Sequence, residues 1–346
     1  MNLQTPCNLT YHAPMSIDWR PLQALISANQ RFVITSHVRP DADAIGSEIG
    51  LACALQQLGK SAQIVNVSPT PPNLRFLDPN DAILQLSAGA VTEAVLAADV
   101  HLIVDTSAWG QLSDIGRVFR ESTKPRAVID HHVSADDLGA QEFKDTARES
   151  TGGLIFELSE VLGVTLTAEA ATALFAAVAT DTGWYRFSAT TGQTLRVAGA
   201  LIDRGARPDA IFRELYEQAT LARLKLAGRV LSRVTLDCAG QLAYTTAQWS
   251  DFEELGALAS DTEDLVNEGL KIAGTKAAFI AIELQNRQVK VSFRSRNDVN
   301  VAAVAEQFGG GGHRQAAGAT LPGPFADAVQ RALTAMRTAL SCPQPA

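Results

Sequence analysis

Short apolar runs alternate with amphipathic stretches through the first half of the chain. Apolar runs of strand length lie at 31–36, 62–67, 100–104 and 126–129. Apolar residues at helical spacing predict helices over 19–29, 43–58, 91–98, 152–162 and 168–180. Because strands that alternate with helices usually pair in the same direction, this half is predicted to be α/β, with a parallel sheet flanked by helices.

The pattern changes after residue 190. Helical spacing continues over 191–204, 208–217 and 221–234, so the stretch 190–234 is predicted to be a helical connector. Beyond it, strands are predicted over 242–246, 277–284 and 288–293, and helices over 264–272 and 301–308. The last two strands are expected to form a hairpin around Asn286-Arg287. The expected organisation is a loose extension at 1–18, a first domain at 19–189, the connector, and a smaller α+β domain at 235–340.

The composition is that of a globular protein with more than one hydrophobic core. The chain has 346 residues, of which 46% are hydrophobic, and no apolar run is long enough to cross a membrane. The extension lacks the basic and apolar regions of a signal peptide, and the sequence leaves open whether Met1 or Met15 is the start. The cysteines are far apart and form no C-x-x-C pair, so we expect reduced thiols in a cytoplasmic protein at Cys7, Cys53, Cys238 and Cys342.

A formal net charge of −8 restricts the partners of the chain. Binding to long nucleic acid depends largely on neutralising phosphates, so an acidic chain is a poor non-specific ligand for a long duplex. A phosphate-bearing substrate must then be bound locally, by metal ions or by a few arginines. The charge therefore favours a small or short substrate, and we expect neither long duplexes nor membranes among the partners.

Acidic and imidazole side chains follow four separate apolar elements. They are His37, Asp41 and Asp43 after the first strand, Asp105 after the third, Asp130-His131-His132 after the fourth, and Asp181 at the end of a helix. Because open α/β sheets bind ligands at the carboxyl ends of their strands, these groups are expected to meet at one edge of the sheet. Packing like charges together costs free energy, and a bound cation removes that cost.

The charges of this set suit two divalent ions. Outside the Asp130-His131-His132 triplet, four aspartates carry four negative charges that two such ions would balance, with His37 and His131 in neutral positions. Mixed nitrogen and oxygen ligation favours manganese, or iron, cobalt or zinc, over magnesium or calcium. A two-metal site of this kind activates water and stabilises an in-line displacement at phosphorus. The pattern therefore predicts a phosphohydrolase centre.

Five motifs of the chain, taken in order, resemble those of the DHH phosphoesterase superfamily with its DHH-associated C-terminal domain. Four of them are His37-x-x-Pro40-Asp41-x-Asp43, Asp105-Thr106-Ser107, Asp130-His131-His132 and Thr180-Asp181-Thr182-Gly183. The fifth is the glycine-rich stretch Gly309-Gly310-Gly311-Gly312-His313-Arg314-Gln315-Ala316-Ala317-Gly318. The chain is most similar to the branch of bifunctional oligoribonucleases (nanoRNases) and pAp phosphatases. The resemblance implies a DHH catalytic domain at 19–189 and a DHH-associated substrate-binding domain at 235–340.

The resemblance also implies two sets of metal ligands that share one carboxylate. The first set is His37, Asp41 and Asp105, and the second is Asp43, Asp105, His131 and Asp181. It further implies that His132 stabilises the charge developing on the scissile phosphate, and that Asp130 orients a ligand imidazole. A buried structural histidine is the alternative interpretation of His132.

The glycine-rich stretch has two interpretations. Four successive glycines usually form a flexible loop, but consecutive backbone N–H groups without side chains also form an anion-binding nest. No Lys-Ser or Lys-Thr pair follows, so the run is not a P-loop. The resemblance implies that this stretch and the strand before it hold a substrate phosphate or nucleotide through Arg294, Ser295, Gly311, Gly312 and His313.

Three aromatic residues, Trp184, Tyr185 and Phe187, follow Asp181 closely in the sequence. Aromatic rings beside a metal site could stack on a nucleotide base. An aromatic cluster beside an apolar helix also commonly belongs to the core, so the sequence leaves both interpretations open.

The ligand pattern and the family resemblance together predict a manganese-dependent phosphoesterase. The expected reactions are the release of mononucleotides from very short RNA and the removal of the 3′-phosphate from adenosine 3′,5′-bisphosphate (pAp). The runner-up is a phosphodiesterase for cyclic dinucleotides or for linear products such as pApA. The resemblance also suggests a homodimer.

Three other functions fit the sequence less well. A RecJ-type DNA exonuclease would need room for an extra oligonucleotide-binding domain, and an inorganic pyrophosphatase would lack the glycine-rich motif. A non-catalytic nucleotide sensor could lose its carboxylates freely, whereas every expected carboxylate is present here.

Overall fold

The computed structural model of the chain describes residues 17–86, 90–296 and 299–342. The chain divides into two compact units, Met1–Gln218 and Ala219–Ala346. This division falls inside the predicted connector, and the extension predicted at 1–18 lies outside the described residues except for Ile17 and Asp18. No helix within the described ranges is both long enough and apolar enough to span a bilayer.

The first unit has six strands and eight α-helices among its described residues. The strands are β1 (Arg31–Thr35), β2 (Ser61–Asn66), β3 (Ile83–Gln85), β4 (Val100–Val104), β5 (Arg126–Asp130) and β6 (Gln141–Lys144). The helices are α1 (Arg20–Ala28), α2 (Ala42–Gln57), α3 (Ala90–Ala97), α4 (Trp109–Glu121), α5 (Thr151–Leu162), α6 (Ala168–Asp181), α7 (Gly192–Asp203) and α8 (Pro208–Tyr216). A 3-10 helix, Pro72–Leu77, follows β2. The sequence pattern predicts all of these elements except β3, β6, α4 and the 3-10 helix.

The six strands of the first unit form one parallel sheet in the order β3-β2-β1-β4-β5-β6. Alternate residues of β1 enter two separate cores. Phe32 and Ile34 pack with α1, α2, α5 and α6, whereas Val33 packs on the opposite face with residues of α4. Helices thus cover both faces, as parallel sheets require, and the predicted α/β fold is confirmed.

Two glycines let α2 pack closely against α6. A Cβ atom at Gly46 would lie 2.3 Å from the carbonyl oxygen of Ala173, and one at Gly50 would lie 2.7 Å from a methyl carbon of Leu174. Because these distances are shorter than van der Waals contact, a larger residue would push the helices apart. The close approach places the first turn of α2 near the last turn of α6, where two of the predicted ligands lie.

His101 of β4 is fully buried beneath α4. Its ring stacks on Phe119 with 4.2 Å between the ring centroids, and its Nε2 lies 3.1 Å from the carbonyl oxygen of Val95. Its Nδ1 has no hydrogen-bond partner among the described residues. Burial lowers the pKa of His101 to about 4, although the hydrogen bond to Val95 opposes this shift.

We expect His101 to make the first unit sensitive to acid. A histidine in an unfolded chain has a pKa near 6.5, so the unfolded state binds the proton first as the pH falls. The contribution of the neutral His101 ring to the free energy of unfolding is therefore fully present above about pH 6.5. It decreases by roughly 3 kcal/mol as the pH falls toward 4. The variant His101→Phe retains an aromatic ring without the titrating group. In metal-free urea unfolding, its free energy of unfolding should fall less steeply with acid than that of the wild type, and equal slopes would contradict this assignment.

The second unit has six strands and five α-helices among its described residues. The strands are β7 (Thr235–Asp237), β8 (Leu242–Ala247), β9 (Ala277–Glu283), β10 (Val289–Ser295), β11 (Gly311–His313) and β12 (Ala316–Leu321). The helices are α9 (Leu221–Ser232), α10 (Trp249–Leu255), α11 (Leu265–Leu270), α12 (Val301–Glu306) and α13 (Phe325–Ala339). Two short 3-10 helices, Cys238–Gly240 and Ala259–Thr262, complete it. The sequence pattern does not predict β7, β11, β12, α10 or α13.

The strands of the second unit form a mixed sheet in the order β11-β12-β10-β9-β8-β7. β9 and β10 make the hairpin predicted around Asn286-Arg287. Phe279 and Phe293 face a core with α12 and α13, whereas Ile280 and Ile282 face a core with α9, α10 and α11. The smaller α+β domain expected in this half is therefore confirmed.

The prediction of four reduced thiols is wrong for two of them. Cys238 and Cys342 form a disulfide, with their Cα atoms 5.6 Å apart although 104 residues separate them. The fold of the second unit brings the residue after β7 next to the segment after α13, and spacing along the chain does not reveal this proximity. Cys53 is free, and Cys7 lies outside the described residues.

Candidate metal centre

The junction between β1 and α2 carries three of the predicted ligands, His37, Asp41 and Asp43. Asp41 is the N-cap of α2, and its Oδ1 accepts hydrogen bonds from the backbone N–H groups of Asp43 (3.0 Å) and Ala44 (3.1 Å). Capping of this kind satisfies N–H groups that have no partner within the helix and so fixes where the helix begins. Asp43 consequently lies buried in the first turn of α2, while Asp41 stays exposed.

The carboxylate of Asp43 is held by the N-terminus of α5. Its Oδ2 accepts a hydrogen bond from the N–H of Thr151 and its Oδ1 accepts one from the N–H of Gly152, each at 2.8 Å. Ser150 caps the same helix with its side chain. Free N–H groups and the positive end of the helix dipole favour a carboxylate at this position.

Asp105 follows β4 in an uncommon backbone conformation. Its φ of 62° lies in the left-handed region, which aspartate tolerates better than most residues and which is frequent at functional sites. Its side chain is 2% exposed, and its Oδ1 accepts a hydrogen bond from the hydroxyl of Thr151 at 2.9 Å. Thr151 therefore links Asp105 to Asp43, through its hydroxyl and its N–H respectively.

His131 lies among three carboxylates. Its Nε2 is 3.4 Å from Asp181 Oδ2. The same atom is 3.7 Å from both Asp43 Oδ2 and Asp105 Oδ1. One imidazole nitrogen thus faces oxygens contributed by α2, α6 and the end of β4.

His37 lies beside the other oxygen of Asp105. Its Nε2 is 3.4 Å from Asp105 Oδ2 and 3.9 Å from Asp41 Oδ1. Its Nδ1 is 3.0 Å from the carbonyl oxygen of Val38, so Nδ1 carries the proton and Nε2 is free to act as a ligand. Asp105 presents one oxygen to His131 and the other to His37, which is the geometry that a bridging carboxylate needs.

Three overlapping groups of side chains have ligand atoms within 4.8 Å of one another. They are His37 with Asp41 and Asp105, Asp43 with His131 and Asp181, and Asp105 with His131 and His132. Within the ranges that the structure describes, only imidazoles form ion pairs with these four aspartates. Carboxylates and imidazoles without a lysine or arginine counter-charge fit divalent cations. All six predicted metal ligands lie in these groups.

The electrostatics of the cluster favour a bound positive charge. Burial, reinforced by the charges of Asp105, Asp181 and Asp41, raises the pKa of Asp43 well above its ordinary value. Burial and the charge of Asp41 likewise raise the pKa of Asp105 well above its ordinary value. Burial raises the pKa of Asp181 too, against the opposing effect of His131. Since a cation favours the ionised form of all three, metal binding is expected to release protons.

Asp130 and His132 form a hydrogen-bonded pair beside this cluster. Asp130 is fully buried, and its Oδ1 accepts hydrogen bonds from His132 Nδ1 (2.9 Å) and from the His132 backbone N–H (3.0 Å). The hydroxyl of Ser107 donates to Asp130 Oδ2. Although burial opposes it, the hydrogen bonds from His132 and Ser107 bring the pKa of Asp130 down to about 2. The hydrogen bond to Asp130 in turn raises the pKa of His132 and favours its protonated form.

The partner of Asp130 differs from the expectation, and the exposure of His132 argues against the alternative interpretation of that residue. Asp130 contacts His132, whereas the ligand imidazole of His131 has its Nδ1 3.4 Å from the carbonyl oxygen of Arg148. The side chain of His132 is 49% exposed, so the alternative of a buried structural histidine does not fit. The His132 side chain is therefore hydrogen-bonded to Asp130 and also accessible to solvent.

In the second unit, two predicted substrate contacts lie in one row across the sheet. Ala316 of β12 pairs with Arg294 of β10 on one side and with His313 of β11 on the other. Residues in register share a face of the sheet, so Arg294 and His313 face the same way, roughly 10 Å apart across a small alanine. Gly311 pairs with Gly318 and lies on this face as well. The face is accessible to solvent, while the alternate residues of β10 and β12 are buried.

The remaining contacts predicted for the second unit differ from expectation. Gly309 and Gly310 do not form an anion nest, because their N–H groups donate to carbonyl groups of α12 at 3.0 and 2.9 Å. Gly311 and Gly312 belong to β11, so the glycine run is not a loop throughout. Ser295 lies on the buried face, where its hydroxyl donates to a backbone carbonyl group at 2.7 Å.

Trp184 and Tyr185 belong to an aromatic cluster of the first unit. Both pack on Phe175 of α6, at ring-centroid distances of 6.2 and 6.0 Å, and Trp184 also packs on Phe212 of α8 at 5.0 Å. Phe187 is 55% exposed. Of the two interpretations left open by the sequence, packing in the core therefore fits Trp184 and Tyr185 better than base stacking.

Sequence reasoning missed the groups that support the ligands. Thr151 and Gly152 hold the ligand carboxylates, and Ser107 and Lys144 contact Asp130. The signal for the first pair is a serine N-cap before an apolar helix, which marks free N–H groups at that point. The sequence carries no signal for Lys144, because β6 is short and is not an apolar run.

Comparison with known families and structures agrees with the fold of the chain. The DHH family, N-terminal domain, matches residues 31–178, and the DHHA1 domain matches residues 241–341. A solved exopolyphosphatase-related protein from Bacteroides fragilis superposes with a TM-score of 0.82 at 25% identity, covering 92% of this chain and 95% of that one.

Two relatives that carry the name bifunctional oligoribonuclease and PAP phosphatase NrnA are similar over most of their length. The relative from Thermus thermophilus is 36% identical over 315 residues, which cover 89% of this chain and 90% of the relative. The relative from Bacillus subtilis is 30% identical over 299 residues, which cover 86% of this chain and 91% of the relative.

Proposed function

This chain belongs to the DHH family, and from that premise we propose that it is a two-metal phosphohydrolase. The proposed reactions are the degradation of short oligoribonucleotides to mononucleotides and the removal of the 3′-phosphate from pAp to give AMP. Two relatives named for both activities support this proposal. The observation that carries it is the convergence of two ligand groups on the carboxylate of Asp105.

The ligand groups support the binding of two divalent ions. In this proposal one ion is held by His37, Asp41 and Asp105, and the other by Asp43, Asp105, His131 and Asp181. Four carboxylates balance two divalent charges, and mixed nitrogen and oxygen ligation suits manganese better than magnesium or calcium. When bound, such ions supply an activated water molecule and neutralise charge on the phosphoryl group.

His132 is proposed to stabilise the charge that develops on the phosphoryl oxygens. Its Nδ1 donates to Asp130, so the orientation of the ring is fixed, and its Nε2 can donate to a phosphoryl oxygen when the imidazole is protonated. The hydrogen bond to the carboxylate of Asp130 favours this protonated imidazole, which carries the Nε2–H that the role requires. Asp130 therefore acts through His132, and His132 contacts the substrate.

The second unit is proposed to bind a further phosphate or nucleotide of the substrate. Arg294 and His313 offer N–H donors on one exposed face of the sheet, and the small Ala316 leaves room between them for an anion. Gly312 and Ser295 would shape the backbone beneath this face.

Hydrolysis of defined substrates tests this function. With Mn²⁺ present, we expect the purified chain to convert a ladder of very short RNAs, starting at the dinucleotide, to mononucleotides, and to release phosphate from pAp. The same assay includes pApA and cyclic di-AMP, and it is repeated with Mg²⁺ and Ca²⁺ in place of Mn²⁺. Preference for cyclic di-AMP over short RNA and pAp would favour the runner-up function instead. Absence of hydrolysis with every substrate and metal would contradict the proposal.

A further inference from the structure

Lys144 lies directly beside Asp130 at the edge of the first unit's sheet. It is the last residue of β6 and pairs in register with Asp130, the last residue of β5. Residues in register project to the same side of a sheet, so the two side chains face each other. The side chain of Lys144 is only 13% exposed, which is uncommon for lysine. A lysine in such a place needs acceptors for its charged group.

Three acceptors surround the ammonium group of Lys144. Its Nζ lies 2.8 Å from the carbonyl oxygen of Ser134 and 3.3 Å from the hydroxyl oxygen of Ser107. It is also 3.4 Å from Asp130 Oδ2. These acceptors match the three N–H donors of an ammonium group. Lys144 therefore joins the loop after β4, the loop after β5 and the carboxylate of Asp130.

The contacts that Lys144 and Ser107 make with Asp130 determine which of its carboxylate oxygens faces His132. Oδ2 is engaged by Lys144 and Ser107, whereas Oδ1 accepts both hydrogen bonds from His132. With both oxygens held, the carboxylate cannot rotate without breaking a charge-assisted contact. The orientation of the His132 ring depends in turn on that carboxylate, because its Nδ1 donates to Oδ1.

We propose that Lys144 is a positioning residue that sets the orientation of His132 through Asp130. The inference rests on the proposed function, since it assigns Lys144 a part in the same phosphohydrolase site. Asp130, the carboxylate that Lys144 contacts, belongs to none of the three ligand groups. The loss of Lys144 should therefore lower turnover through His132 alone and leave metal binding unchanged.

A double-mutant cycle between Lys144 and His132 tests this proposal. In Lys144→Met we expect kcat for pAp to fall about 10- to 100-fold, the range typical of residues that orient a ligand or catalytic group, with little change in KM. In the His132→Ala background the same substitution should cause no further fall. Glu142→Met is the matched control, because Glu142 lies two residues earlier on β6 and is exposed; it should retain wild-type kcat. If the methionine variant does not fold, Lys144→Gln, which keeps N–H donors but no charge, enters the same cycle.

NMR of the His132 ring gives a readout that does not depend on turnover. The Nδ1–H signal of His132 should shift in Lys144→Met and stay in place in Glu142→Met. The proposal is overturned if Lys144→Met keeps wild-type kcat, if its loss of kcat persists in the His132→Ala background, or if the His132 signal does not move. A wild-type chain inactive on every phosphate substrate would contradict the proposed function, and the NMR signal would still decide the role of Lys144.

Discussion

Replacing Asp105 by asparagine is expected to abolish hydrolysis and, at the same time, to stabilise the metal-free protein. Asp105 faces both His37 and His131, so its loss removes a ligand from both proposed ions. Bound metal supplies several kcal/mol of transition-state stabilisation, so we expect kcat to fall by at least about a thousandfold. An asparagine can still accept the hydrogen bond from Thr151 through its amide oxygen, so the fold should persist.

The stability gain follows from the raised pKa of the Asp105 carboxyl. Burial and the charge of Asp41 raise this pKa, so the unfolded chain loses the proton first as the pH rises. As the pH rises above the ordinary pKa of an aspartate, the free energy of unfolding of the wild type therefore decreases. A neutral amide at this position does not titrate and avoids that decrease. At neutral pH in EDTA, Asp105→Asn should unfold at a higher urea concentration than the wild type.

A matched control for this variant is Asp114→Asn. Asp114 is an exposed aspartate of α4, with 60% of its side chain accessible. The control should match the wild type in both turnover and urea unfolding. Wild-type turnover in Asp105→Asn would show that Asp105 bridges no metal, and lower stability in EDTA would show that the carboxylate cluster carries no electrostatic cost.

The second large effect, a loss of kcat, is expected for His132→Ala. Removing one hydrogen-bond donor from a developing oxyanion typically costs about 10²- to 10³-fold in kcat, and we expect a loss in that range. Because His132 lies outside the two proposed ligand sets, the stabilisation of the protein by Mn²⁺ should be unaffected. At about 100 times the dissociation constant, this stabilisation is about 2.7 kcal/mol, or roughly 5–10 °C in the melting temperature of a unit this size.

Thermal unfolding with and without Mn²⁺ distinguishes this role from metal ligation. His132 Nδ1 lies 3.7 Å from Asp105 Oδ1, so the geometry also offers His132 as a ligand. Were His132 a ligand, His132→Ala would lose the Mn²⁺-dependent rise in melting temperature, as Asp105→Asn should. Retention of that rise together with a large loss of kcat is the expected result.

The candidate ligands were predictable from sequence because of how parallel sheets are built. Asp105 and the Asp130-His131-His132 triplet end neighbouring strands, and carboxyl ends of parallel strands meet at one edge. His37 and Asp41 flank the junction of another neighbouring strand with its helix. The order of strands and ligand residues along the sequence is therefore enough to predict that these groups lie near one another.

The groups that hold the ligands could not be predicted in the same way. The contact of Thr151 with both Asp43 and Asp105 depends on how α5 packs against α2, where a Cβ atom at Gly152 would lie only 3.2 Å from Asp43 Oδ1. The contact of Lys144 with Asp130 depends on the register of β6, an edge strand with little apolar pattern. Such contacts are set by tertiary packing.

The same distinction applies to the second unit. The hairpin of β9 and β10 follows from two apolar strands around a tight turn, which local sequence specifies. The row of Arg294, Ala316 and His313 depends on the pairing of β12 between two other strands, and the disulfide depends on the docking of α13. Both features join segments that are distant in the sequence. The spacing of residues therefore predicted neither the row across the sheet nor the disulfide.

Anomalous diffraction from crystals grown with Mn²⁺ tests the central claim most directly. We expect two anomalous peaks about 4 Å apart, both in contact with Asp105. One peak should lie against His37 and Asp41, and the other against Asp43, His131 and Asp181. A site without manganese, or peaks bound by other side chains, would contradict the account.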